Sequence, residues 1–149
     1  MSDIRTDAFL AHPPQKVWRA LTDPGLLEAW LMPNDFAPRV GHRFTFRTEP
    51  VPAQGFDGVI RCEVLDLRPP ELLRISWASS GIDTTVTWEL AAEGRGTRLF
   101  LTHEGFDETD PRQQAVRRLL DGGWRSHVVR RLEAVLAHEP GDAGGQGPR

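Results

Sequence analysis

The chain has 149 residues, 39% hydrophobic and 26% charged, with a formal net charge of −3 and one cysteine, Cys62. That length suits a single domain with a self-sufficient core, and a lone cysteine excludes an internal disulfide framework or a multi-cysteine zinc site. The negative balance speaks against a nucleic-acid partner held by charge, and no apolar run of about 18 residues is available to span a membrane. No apolar segment of about 7–15 residues follows Met1-Ser2-Asp3-Ile4-Arg5, so no secretory signal is expected and a cytoplasmic location is. Five Trp and seven Phe stand beside no Tyr, and of 18 basic residues only Lys16 is lysine.

Ile4 to Leu10 reads as a strand, closed by His12-Pro13-Pro14. Proline suits the first turn of a helix, and Val17, Trp18 and Leu21 follow at helical spacing. Asp23-Pro24 is an N-cap with proline at the first helical position, opening a second short helix through Leu26, Leu27 and Trp30. Residues 32–41 read as loop. The period then changes to two. Phe44 and Phe46 alternate with Arg43, Thr45 and Arg47. Ile60, Cys62 and Val64 form a second row, Leu73, Ile75 and Trp77 a third, Val86, Trp88 and Leu90 a fourth, and Leu99, Leu101 and His103 a fifth. Strict alternation predicts a sheet with one buried and one wet face, and the short connections predict antiparallel neighbours.

The last element is a long helix. Asp110 is its N-cap, Pro111 its first residue, and Gln113 stands where a capping-box side chain would. Val116, Leu120, Trp124, Val128, Leu132 and Val135 recur at three-to-four spacing through residue 137, roughly 40 Å of helix. From Glu139 the chain is Gly, Pro and small polar residues, so 1–138 is expected to be one domain and 139–149 a disordered tail. A one-sided sheet and a one-sided helix must bury their apolar faces against each other, which leaves a cavity where a twisted sheet meets a straight helix. The fold class is therefore α+β.

Val17-Trp18-Arg19-Ala20-Leu21-Thr22-Asp23-Pro24 followed by Trp30 resembles the opening of proteins homologous to the activator of the 90-kDa heat-shock protein ATPase. Gly58, Pro69-Pro70-Glu71-Leu72-Leu73, Trp77, Gly96-Thr97-Arg98-Leu99, Thr102-His103-Glu104-Gly105-Phe106 and Gly123-Trp124 follow in that family's order, over about residues 4–137. The resemblance implies the START-like (SRPBCC) helix-grip fold: a curved six-stranded antiparallel sheet wrapped around a long C-terminal helix, with two short helices after the first strand. It also implies a hydrophobic or amphipathic ligand, and a histidine at the position of His103. The matching region corresponds to the C-terminal domain of the eukaryotic relatives. Their separate chaperone-binding domain has no counterpart here, which puts a chaperone partner in doubt.

Phe44, Phe46, Trp77, Trp88 and Trp124 are candidates to line the cavity, since indole N–H groups want partners and pack poorly without space. Any one of them is explained as plain core; as a group they favour a cavity. His103 either orients a ligand or acts as a general acid or base near neutral pH, or else sits at the core edge bonded to backbone. On a helical wheel centred on Trp124, Arg117 and Arg131 fall about 20° to either side and His127 about 60° away. With His127 they either hold a ligand carboxylate or phosphate, or pair with acids such as Glu63 or Glu104. Gly122-Gly123 either makes room for a ligand or breaks the helix. No metal-ligand spacing, nucleophile elbow or phosphate-binding glycine loop is present, so no catalytic residue, metal or cofactor is assigned. The first reading is a small-molecule binding protein. The alternatives are a cyclase- or hydratase-like enzyme using the same pocket and, from the family name, a cochaperone-like ATPase activator. A homodimer is allowed.

Overall fold

The computed structural model describes residues 3–79 and 81–138, the side chains of Gln54 and His127 excepted. The expected tail therefore lies outside the described residues. The element order begins with β1 (Ile4–Leu10), α1 (Pro14–Thr22) and α2 (Pro24–Trp30), then β2 (Arg43–Arg47). Four longer strands follow: β3 (Val59–Arg68), β4 (Leu72–Ser79), β5 (Ile82–Glu93) and β6 (Gly96–Glu104). The C-terminal helix runs as α3 (Pro111–Ser126), a π-helical segment (His127–Leu132) and α4 (Glu133–His138).

The six strands form one sheet in the order β1-β6-β5-β4-β3-β2, and every neighbouring pair is antiparallel. The period-two rows dictate this arrangement. Phe44 and Phe46 pair with Cys62 and Ile60, Leu73 and Ile75 with Trp88 and Val86, and Leu90 and Trp88 with Leu99 and Leu101. All these side chains are buried, on the face the helices cover. The β5–β6 hairpin turns through Gly94 at φ 58°, a conformation that costs glycine nothing. This is the α+β arrangement that the pattern of strands and helices predicts, and the helix-grip fold that the family resemblance implies.

Local signals place the helices. Asp23 Oδ1 accepts from the Gly25 and Leu26 amides at 2.9 and 3.4 Å, the capping role read from Asp23-Pro24. The Trp30 indole donates to the Ala20 carbonyl at 2.8 Å and ties α2 to α1. At the start of α3, Asp110 Oδ1 accepts from the Arg112 amide at 2.9 Å. Gln113 does not close a capping box onto Asp110. Its Oε1 accepts from the Asp107 amide at 2.8 Å and its Nε2 donates to the Gly81 carbonyl at 3.4 Å, pinning the helix start to the β4–β5 turn.

The helix does not break at Gly122-Gly123, which lie within α3. The departure from α-geometry comes later, at His127. Each step of the wider π-turn advances roughly 82° rather than 100°. Five such steps bring Leu132 to within roughly 10° of the Trp124 direction and swing Arg131 roughly a quarter turn away. Leu132 is accordingly 0% exposed and Arg131 is exposed.

Candidate functional site

The middle of the fold is a chain of rings. Phe36 meets Phe44 at 5.1 Å, Phe44 meets Phe46 at 5.4 Å, Phe46 meets Trp77 at 5.6 Å, and Trp77 meets Trp124 at 5.2 Å. Trp88 packs at 85° to Trp124 from the other side, 5.9 Å away. Centroid spacings of this size and these tilted or edge-on angles are what aromatic quadrupoles favour.

His103 is fully buried beside this chain and spans two elements. The Trp124 indole donates to its Nδ1 at 3.0 Å. An indole can only donate, so Nδ1 is the bare nitrogen and Nε2 carries the proton. That proton goes to Thr84 Oγ1 at 2.7 Å, and Thr84 Oγ1 donates in turn to the Trp77 carbonyl at 2.8 Å. Every donor has its acceptor along a line from α3 through β6 and β5 to β4. Burial pushes the imidazole down to about 3, so it stays neutral. Its two nitrogens are committed and it neither gains nor gives a proton near neutral pH.

Between α3 and the β2–β4 side of the sheet lies a cleft of about 240 Å³. The helix contributes Val116, Leu119, Leu120, Gly123 and Trp124. The sheet contributes Ile60, Trp77 and Ser79, while Leu31 and Met32 close one side and Thr48 and Phe56 another. Among the described residues the lining carries no charged side chain, and its polar side chains are the hydroxyls of Thr48 and Ser79 and the Trp77 and Trp124 indoles. Leu119 is 63% exposed at the rim. A Cβ built on Gly123 meets nothing within 4 Å, so the missing side chain keeps that part of the cleft open.

The expected site residues separate into three groups. Trp77 and Trp124 line the cleft. Phe44, Phe46 and Trp88 surround a closed packing gap with no room for a water molecule and belong to the core; His103 lies behind the cleft wall, bonded to side chains rather than to backbone. The arginines point elsewhere. Arg117 Nη2 donates to the Asp3 carbonyl at 3.1 Å, in a hollow beside the start of β1 with Asp121 and Arg125. Arg131 lies in a shallow hollow with Ala29, Ala134 and His138. Glu63, considered as a partner for these arginines, faces Arg43 at 3.6 Å instead. The side chain of His127 lies outside the described residues.

Several lining residues were missed by the pattern. Thr48 and Ser79 continue the inward alternation of Phe46 and Trp77 by one step, a signal that was there to follow. Met32 and Phe56 come from irregular segments that no periodicity marks.

Other features carry less chemistry. A hollow of about 790 Å³ runs from the start of α1 past the β3–β4 turn to Phe100, and Arg68, Glu71 and Glu89 lie in its wall as on solvated surface. Cys62 is buried, and desolvation pushes its thiol up, away from thiolate reactivity. Among the described residues no three His, Cys, Asp or Glu side chains cluster as a metal site would need, and no helix is long and apolar enough to cross a membrane.

No curated protein matches the chain. Among solved structures, protein MLL2253 of Mesorhizobium loti is 34% identical with a TM-score of 0.80, covering 91% of this chain and 96% of its own. CalU16 of Micromonospora echinospora is 26% identical with a TM-score of 0.72, covering 91% of this chain and 76% of its own. The Aha1 dimer of Colwellia psychrerythraea shares the fold at 21% identity and a TM-score of 0.72, over 91% of this chain and 96% of its own. The family described as activator of Hsp90 ATPase homolog 1-like protein matches residues 11–137. With that match spanning α1 to α4, the chain belongs to the activator of Hsp90 ATPase homolog 1-like family.

Proposed function

We propose that the protein binds a small, neutral, mostly apolar molecule in the cleft between α3 and the β2–β4 side of the sheet. The observation that carries this reading is the lining itself: an apolar hollow between helix and sheet, held open at Gly123 and rimmed by an exposed leucine. Solvent-facing apolar concavities of this kind are where small ligands bind. An anionic headgroup, suggested by Arg117 and Arg131 in the sequence, loses its support, because neither arginine reaches the cleft. Acid–base catalysis by His103 loses support too, since both ring nitrogens are engaged and the ring stays neutral.

Titration of neutral aromatic and short aliphatic compounds, followed by tryptophan fluorescence, tests the reading because Trp77 and Trp124 form part of the wall. Gly123→Leu is the matched control: its side chain grows into the cleft and is expected to abolish the response. A panel with no response, or an equal response in Gly123→Leu, refutes the reading.

A further inference from the structure

The sheet has two edge strands, and the chain treats them differently. Along β2, the Arg47 amide donates to the Pro33 carbonyl at 3.0 Å and the Thr45 amide to Asp35 Oδ1 at 2.7 Å, so the segment before β2 covers that edge. β1 stands at the opposite end of the sheet. It has seven residues, with no proline, glycine or lysine, and its register with β6 is unbroken from Ile4 to Leu10. An open edge is a template for another strand, and proteins commonly blunt it with proline, lysine, a bulge or a covering segment. From Arg5 onward β1 carries none of these.

The β5–β6 turn fixes which backbone groups lie on this edge. Only Gly94 and Arg95 stand between Glu93 and Gly96, so those two face each other as a hydrogen-bonded pair. Alternation along β6 then turns Thr97, Leu99, Leu101 and His103 toward β1, where they pair with Leu10, Ala8, Thr6 and Ile4. The backbone groups of Asp3, Arg5, Asp7 and Phe9 therefore point away from the sheet. Arg117 reaches the Asp3 carbonyl at 3.1 Å, as this parity requires. Among the described residues, nothing bonds the backbone groups of Arg5, Asp7 and Phe9. The Arg5 and Asp7 side chains are more than half exposed and form surface ion pairs with Asp3 at 3.2 Å and Arg98 at 3.0 Å, contacts that exchange partners at little cost.

We propose that β1 docks on β1 of a second copy of this chain, antiparallel about a two-fold axis at Thr6, joining two sheets into one. Charge selects both the occupant and the register. The free groups belong to odd-numbered residues, so the pairing sets odd against odd. Centred on Thr6, it places Arg5 of each copy opposite Asp7 of the other, and Thr6 opposite Thr6. Both are favourable cross-strand pairs, and a two-fold contact needs this self-complementarity. Moving the axis by one residue brings like charges together, Asp7 on Asp7 or Arg5 on Arg5. An axis at Ile4 pairs Arg5 with Asp3, but that ladder needs the Asp3 carbonyl that Arg117 already holds. In the Thr6 register, Arg5 and Asp7 of the second copy exchange N–H to carbonyl hydrogen bonds in both directions.

Sedimentation of the full chain at concentrations up to about 1 mM, a range that captures weak specific contacts, is expected to show a reversible monomer–dimer equilibrium. Arg5→Asp and Asp7→Arg each put like charges at both cross-strand pairs and are expected to weaken the dimer about tenfold. One variant then carries two acids at these positions and the other two bases. Their equimolar mixture matches opposite charges again and is expected to recover the wild-type affinity as a heterodimer. Amide exchange in the wild-type protein gives a second readout. The Arg5 and Asp7 amides should slow as concentration rises, whereas those of Thr6 and Ala8, bonded to β6, are slow throughout. A monomer at every concentration overturns the proposal. So does a dimer that ignores the charge swaps or that fails to re-form in the mixture. A dimer whose Arg5 and Asp7 amides gain no protection overturns it even where a variant fails to fold.

Discussion

Acid should weaken this fold through His103 before the carboxylates begin to titrate. In the folded chain the imidazole is held at about 3 by burial, whereas in the unfolded chain it returns to its ordinary value of about 6.5. Below pH 6.5 the unfolded state therefore binds a proton that the folded state refuses. Stability rises with pH wherever the unfolded state holds more protons, so the contribution is complete above about pH 6.5 and is lost as pH falls from there toward the folded value. Each unit is worth about 1.36 kcal/mol, so the drop from pH 7.5 to pH 5 comes to about 2 kcal/mol. Carboxylates titrate mostly below about pH 4.5, outside this window. Urea unfolding at pH 7.5 and pH 5 measures the drop. His103→Gln has no titratable group at this position. It is expected to be less stable at both values, with the Trp124 and Thr84 hydrogen bonds disturbed, and to lack the 2 kcal/mol difference that separates the two pH values in wild type. Equal pH dependence in the two proteins refutes the assignment of a neutral, fully bonded imidazole.

Three further outcomes follow from local geometry. Gly122→Ala and Gly123→Ala each add a Cβ that meets nothing within 4 Å inside a helix, so each should raise stability by roughly 0.8–1.0 kcal/mol in denaturant titrations; a loss at either position contradicts the open space around it. Gly96→Ala should cost about 1–3 kcal/mol, because the new Cβ falls 2.5 Å from the Leu10 carbonyl and 2.6 Å from the Phe9 ring, where β6 and β1 touch; the melting temperature reads this. Asp23→Ala should cost about 1 kcal/mol by removing the acceptor for the Gly25 and Leu26 amides, and Asp23→Asn should recover most of it.

The residues surrounding the cleft illustrate how far the chain can be read without its structure. Alternation in β2 to β6 and the helical spacing of Val116, Leu120, Trp124 and Leu132 are local properties, each written within a few residues, so strands, helices and buried faces were legible. The proline and aspartate signals at Asp23-Pro24 and Asp110-Pro111 are local too. Trp77 and Trp124 could be placed at the sheet–helix interface for the same reason. Arg131 could not be. Its expected position assumed 100° per residue, and the π-helical turn carried it to roughly a quarter turn from the Trp124 direction while drawing Leu132 inward. That choice of turn depends on how a twisted sheet and α1–α2 receive the helix, a matter of packing across elements.

The role of His103 depended on tertiary structure in the same way. Nothing in Leu99-Phe100-Leu101-Thr102-His103 says that Trp124, 21 residues on, will occupy Nδ1, or that Thr84 will take Nε2. The chain has no tyrosine, and indoles, hydroxyls and a histidine make the buried polar contacts described above. Which of them are spent on one another was decided only when β4, β5, β6 and α3 closed together. Periodicity in a sequence records which side of an element is apolar, because that depends on neighbouring residues; the partner of a buried polar atom depends on residues distant in the chain, and only their meeting in three dimensions determines it.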